Sequence, residues 1–101
     1  MAKKYIELDI IQNDRFMFLP LSTRMLYIYM VCESDDEGFI NNSTAIARVL
    51  GVGKIEFELL CNEGLITPFK KNGFLGYKLE TVENFIRKPY IKQDKIQKDE
   101  N

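Results

Sequence analysis

The chain has no histidine, only two cysteines and no long uninterrupted apolar run. Each absence narrows what it can do. Without histidine the commonest general base of enzyme sites is missing, as is the usual companion of cysteine in a zinc site. Cys32 and Cys61 show no CxxC spacing and are read as buried free thiols, with neither disulfide nor metal expected. Asp9, Asp14 and Arg24 break the apolar runs well short of the about eighteen residues that a membrane-spanning helix requires. Met1-Ala-Lys-Lys is basic, but Glu7 and Asp9 interrupt the region where a secretory signal would place its apolar stretch. The expectation is a cytoplasmic protein without membrane contact.

A surplus of positive charge is lacking too. The net charge is −1, which argues against nucleic-acid affinity spread over the whole surface. The distribution is uneven, however. Residues 1 to 68 hold six Lys/Arg against ten Asp/Glu, whereas 69 to 98 hold eight against three, so the positive field sits in the last third.

No Gly-rich phosphate loop, Ser/His/Asp set or carboxylate pair on a shared face is present, so no catalytic residue and no cofactor is expected. Asp35, Asp36 and Glu37 lack the alternating ligands and terminal glutamate of a calcium loop, and are read as a polar helix stop.

What is present fits one small domain: 101 residues, 46% hydrophobic and 29% charged. Tyr5, Ile6, Leu8 and Ile10 suggest a short extended arm, followed by an irregular or single-turn entry through Phe16–Leu19 that Pro20 ends. With Ser22 as cap, Leu21, Met25, Ile28, Tyr29 and Cys32 recur at helical spacing over about 22–34, and Leu26 and Met30 widen the face. Phe16, Phe18, Tyr27 and Tyr29 are read as core rather than as a base-stacking surface. Gly38 can adopt positive φ, and Phe39-Ile40 is a short strand. Asn42 or Ser43 caps a second helix with Ala45, Ile46, Val49 and Leu50 on one face, closed by Gly51. Two residues later, near Lys54, a third helix begins with Phe57, Leu60 and Cys61 inward and Gly64 as its stop. Two strands joined by Lys71-Asn72-Gly73 form a hairpin, and Thr81 caps a last short helix with Val82, Phe85 and Ile86 apolar, until Pro89.

The predicted class is α+β, mainly α. The order is that of a winged helix-turn-helix: a three-helix core, a short strand, a β-hairpin wing and an extra C-terminal helix. The division is an N-terminal arm over 1–20, the winged-helix domain over 21–91 and a flexible charged tail over 92–101. The expected core includes Leu26, Ile28, Tyr29, Ile46, Leu50, Leu60 and Ile66.

LYIYMVCESDDEGFINNSTAIARVLGV, continued by LLCNEGLI, resembles the N-terminal domain of phage replisome organisers and DnaD-like primosomal proteins. The resemblance covers about 16–69, with an echo in ENFIRKPYIKQDKI. It implies a module of replication initiation that binds origin DNA or scaffolds the primosome, usually attached to a further domain. The alternative is a small phage or prophage winged helix that binds protein, as adaptor, self-associating module or inhibitor, without sequence-specific DNA binding. Two departures from the pattern matter: Gly53 stands where a Ser or Thr cap is usual, and Ile55 puts an apolar residue on the outer helix face.

Candidate contacts to double-stranded DNA fall in four groups. Asn42, Ser43 and Thr44 sit at the start of the second helix, where free backbone N–H groups can hold a phosphate oxygen, or where they simply cap. Lys54 and Asn62 project from the third helix. Lys70, Lys71 and Asn72 at the hairpin tip, with Lys78 on the returning strand, can straddle a groove, or are the ordinary charge of a soluble hairpin. Arg87 and Lys88, followed by Lys92 and Lys95, can track a backbone or keep a tail soluble. Against base reading stand Glu56 and Glu58, since carboxylates accept only from cytosine and repel phosphates. Ile55, Glu56, Glu58 and Leu59 are therefore the candidate protein-binding face.

Overall fold

The computed structural model describes residues 4–87. Lys88, the stop at Pro89 and the tail with Lys92 and Lys95 lie outside the described residues. The class is α+β and mainly helical. Its helices are α1 (Leu8–Ile11), α2 (Asp14–Met17), α3 (Leu21–Glu33), α4 (Ser43–Leu50) and α5 (Lys54–Asn62), with residues 82–87 forming α6. The strands are β1 (Phe39–Ile40), β2 (Ile66–Lys71) and β3 (Phe74–Leu79), paired antiparallel in the order β1-β3-β2.

The N-terminal segment differs from the expected arm. Leu8–Ile11 is a single helical turn rather than a strand, and Ile10, Phe16 and Leu19 enter the core. Asn13 starts the second turn by accepting a hydrogen bond from Arg15 N–H at 2.9 Å.

α3 is where the predicted face fails. The buried residues are Thr23, Leu26, Tyr27, Met30 and Val31, while Leu21, Met25, Tyr29 and Cys32 are exposed and Ile28 is half-buried. The helix is apolar on both sides, and the pair Leu26/Met30 that was expected only to widen the face is its centre. Ser22 is not the cap: Pro20 holds that position, and the helix begins at Leu21. Phe16 and Tyr27 are core residues in edge-to-face contact at 5.5 Å, but Phe18 stands in solvent.

α4 buries Ile46, with Ala47 and Leu50 partly covered, whereas Ala45 and Val49 are exposed. A helix resting one edge on α3 covers the Ile46/Leu50 pair and leaves the rest of its predicted face outside. Gly51 closes it in the left-handed region at φ 71°, and only Val52 and Gly53 separate it from α5. α5 turns Phe57 and Leu60 inward, with Cys61 partly covered, and Gly64 stops it at φ 80°. Neither cysteine is fully buried, contrary to expectation.

The hairpin turns at Asn72-Gly73, both at positive φ, as a two-residue turn between right-twisted strands demands. Its stem lies on α5 through the stacked rings of Phe57 and Tyr77, 5.1 Å apart. Glu80 N–H donates to Leu65 O at 3.0 Å, so in the alternation of an antiparallel pair Pro68, opposite Tyr77, turns its nitrogen away from β3 to the open edge. In α6 Thr81 Oγ1 accepts from Asn84 N–H at 3.1 Å; Phe85 is buried, whereas Ile86, expected inward, is half-exposed.

Candidate interaction surfaces around the third helix and the hairpin

The first turn of α4, the flank of α5 and the stem of the hairpin enclose a cleft of about 530 Å³. It brings Ser43, Thr44, Lys54 and Asn62 together over a floor of Phe57, Pro68 and Tyr77, with Glu58 on its rim. Four of the predicted DNA contacts thus share one surface. Asn42 does not join them, because its Nδ2 donates to Glu33 Oε1 at 3.2 Å and it makes no side-chain cap to α4.

On the outward side of α5 the charged groups are engaged within the chain. Glu56 Oε1 accepts a hydrogen bond from Gly53 N–H at 2.8 Å. That bond supplies a cap which glycine, having no side chain, cannot, and it satisfies one of the free amide donors at the helix start. Glu56 is therefore half-buried and structural rather than part of a free acidic face. Lys54 and Glu58 lie at i and i+4 with 4.0 Å between Nζ and Oε2, a loose solvated pair. Leu59 is partly covered by the core. Ile55 remains, with 69% of its surface in water.

The hairpin tip forms a second hollow of about 490 Å³, lined by Phe39, Phe69, Lys70, Lys71, Asn72 and Lys78 together with Glu37. Here the acidic turn before β1 meets the basic turn of the hairpin. Pairing of Phe39 with Lys78 sets β1 beside β3 and carries Asp35 and Glu37 to Lys71. Lys71 Nζ donates to Asp35 Oδ2 at 2.9 Å and to Glu37 Oε1. Asp35 Oδ1 in turn accepts from the amides of Glu37 and Phe39, each at 2.9 Å. The Lys71 bond, reinforced by the Phe39 amide, lowers the Asp35 carboxyl to about 2, and the same carboxylates, Glu37 foremost, raise the Lys71 ammonium. Lys71, a candidate phosphate contact that is equally the ordinary charge of a soluble hairpin, is paired with two carboxylates.

Lys78 lies 5.1 Å from the centre of the Phe69 ring, and Lys70 projects from the tip. Among the described residues neither pairs with a carboxylate. Asn72 is taken up by the turn itself, and Arg87 is exposed on α6, away from both hollows.

Two roles escaped the sequence reading. The Gly53-x-x-Glu56 spacing carries the signal for the cap, since the glutamate occupies the third helical position. The Asp35–Lys71 contact has no local signal and follows only from the β1–β3 pairing. Among the described residues no group of three or more His, Cys, Asp or Glu could hold a metal ion, and no helix is long and apolar enough to cross a membrane. No family model, curated protein or solved structure matches the chain.

Proposed function

We propose that this chain is a winged-helix module of the kind found in phage replisome organisers, acting in the cytoplasm, and that α5 serves it as a protein-binding helix within a replication-initiation assembly. Two features support the fold reading: α4 and α5 joined by a glycine-closed turn, and a hairpin that follows at once with β1 paired on its inner strand. The assembly reading rests on the sequence resemblance.

One observation carries the choice of protein over base reading. The charged residues around Ile55 are engaged within the chain and Ile55 itself is exposed. Covering that side chain would contribute about 1 to 2 kcal/mol, whereas setting the same face in a phosphate-lined groove would bring Glu58 against like charge. The partner is a second copy of the chain or another replication protein. DNA contact is the second reading, favoured by Lys70 and Lys78 at the hairpin and by Ser43 and Thr44 in the cleft beside it.

Ile55→Arg tests the reading, because an exposed position tolerates the change without loss of fold. Sedimentation of the wild type and variant, alone and with candidate replication proteins, should show association weakened about tenfold or more, the equivalent of losing roughly 1.4 kcal/mol. Unchanged association together with tighter binding to duplex DNA would place α5 at the groove instead.

A further inference from the structure

Residues opposite each other in an antiparallel pair share a face of the sheet, as do residues two apart on one strand. Phe39 is opposite Lys78, Phe69 opposite Gly76 and Lys71 opposite Phe74, so three rings and two lysines stand on one face. Ile40 and Tyr77 take the other, where Tyr77 stacks on Phe57 of α5. The face turned away from α5 is thus the aromatic one. The open side of an antiparallel sheet is ordinarily polar. Here Phe69 keeps 38% of its surface in water and Phe74 keeps 65%.

The rings form a set with the lysines among them. Phe39 and Phe69 meet edge to face at 5.9 Å. Gly76 raises no side chain between Phe74 and Lys78, and the Phe39 ring lies 3.1 Å from where its Cβ would stand. Lys78 Nζ is 5.1 Å from the centre of the Phe69 ring, and Lys71 Nζ is 5.6 Å from that of Phe39. Lys71 is held by Asp35 and Glu37, whereas Lys70 and Lys78 pair with no carboxylate among the described residues. With Asp36 counted in the acidic turn, Asp35, Asp36 and Glu37 balance Lys70, Lys71 and Lys78 at this end of the sheet.

We propose that this face binds a single strand of nucleic acid, with bases stacking on Phe74 and Phe69 and phosphates meeting Lys70 and Lys78. The centre of a protein–protein contact is rich in rings but poor in lysine, whereas rings interleaved with lysines suit a base and its phosphate. A base in a duplex has its faces covered by its neighbours in the stack, so the ligand is a strand whose bases can be splayed out. A base on Phe69 takes the place of the Lys78 ammonium over that ring and leaves the ammonium beside its phosphate. Because the charges at this end balance, stacking supplies most of the affinity and the salt dependence is shallow. The proposal does not rest on α5 or on its partner.

The probes are fluorescein-labelled oligothymidylate and oligouridylate strands of about twelve nucleotides, within the usual size of a single-strand site, titrated with the full chain at low salt and followed by anisotropy. An abasic strand and a duplex of the same length serve as comparisons. The proposal expects at least one base-bearing strand to bind about tenfold more tightly than the abasic strand, as one stacked base supplies, and more tightly than the duplex. The tighter of the two identifies a deoxyribose or a ribose strand as the ligand, and equal affinities mean that the sugar is not read. Phe74→Leu removes the ring but keeps an apolar side chain at an exposed position, so the fold is retained. It should weaken binding of the base-bearing strand about tenfold and leave the abasic strand unchanged. Lys78→Gln should reduce the magnitude of the salt slope by about 0.7, as for one phosphate of a single strand. Ile55→Ser should alter none of this, so failure here leaves the α5 reading standing. Equal binding of the abasic strand, tighter binding of the duplex, or indifference to Phe74→Leu would each overturn the proposal. Absence of binding by every strand would overturn it too, and would assign the face to a protein partner.

Discussion

Arg15 is bound to Glu63 across 48 positions of sequence, its Nε 3.1 Å from Oε1. The same guanidinium donates to the backbone carbonyl of Glu63 and, at 2.7 Å, to that of Phe85, while its carbon lies 4.0 Å from the centre of the Phe85 ring. One side chain of α2 thus ties the end of α5 to α6, and the N-terminal segment is bound into the domain by more than Ile10 and Phe16. Both partners of the ion pair are mostly covered. Arg15→Ala should cost about 2 to 4 kcal/mol, since charge-assisted bonds and packing are lost together. Arg15→Lys should recover only part of it, because an ammonium cannot reproduce the fork. Urea unfolding measures both, and an unchanged midpoint for Arg15→Ala would show that the tie carries no net stability.

Gly76 is required by a close approach rather than by its own backbone. A Cβ there would lie 2.2 Å from the carbonyl oxygen of Ile40 and 3.1 Å from the Phe39 ring. Since one of those atoms is backbone in the paired strand, it cannot yield without displacing β1. Gly76→Ala should destabilise the protein by about 2 to 3 kcal/mol, the range of an overpacked core. Gly53→Ala, where a Cβ meets nothing within 4 Å, is the control.

The contact between the acidic turn and the hairpin should depend on pH at both extremes. Folding lowers the Asp35 carboxyl, so its contribution is present above the unfolded value and is lost as pH falls from about 4 through about 2. Folding raises the Lys71 ammonium, so its contribution is present below the unfolded value and is lost as pH rises past about 10.4 and through the folded value. A carbon-detected titration of the Asp35 carboxyl is the measurement. Lys71→Ala should move its midpoint back toward about 3.9; a midpoint that stays put would assign the shift to the amides of Phe39 and Glu37.

If the hairpin touches DNA, its lysines should not act alike. Lys70→Ala and Lys78→Ala should each reduce the magnitude of the salt slope of duplex binding by about 1, as for one lost phosphate contact. Lys71→Ala should leave the slope nearly unchanged, because Asp35 and Glu37 already neutralise that charge. Anisotropy over a salt series decides, and a slope that falls only with Lys71→Ala would reverse the order.

Features written in adjacent residues were legible in the sequence. Asn72-Gly73, the stops at Gly51 and Gly64, and the inward Phe57 and Leu60 all follow from local rules of turn and period. α3 was not, because apolar residues occupy both of its sides and periodicity cannot say which side the core will take. The turn at Leu8–Ile11 was missed because so short a piece fits a two-residue alternation as well as a helical one. For the candidate surfaces, the residues of α4 and α5 that share a cleft follow from their helices. The engagement of Lys71 depends on a strand pairing that joins positions 36 apart.

Pro68 has a consequence for how copies of this chain can meet. With its nitrogen turned outward on β2, it leaves the open border of the sheet short of a donor at mid-strand. An incoming extended peptide would find its ladder interrupted there, so β2 is a poor border for growth of the sheet from one molecule into the next. Copies that met at this border would have to do so through side-chain faces, whose shape and charge choose the neighbour, rather than through the backbone ladder on which indiscriminate stacking depends.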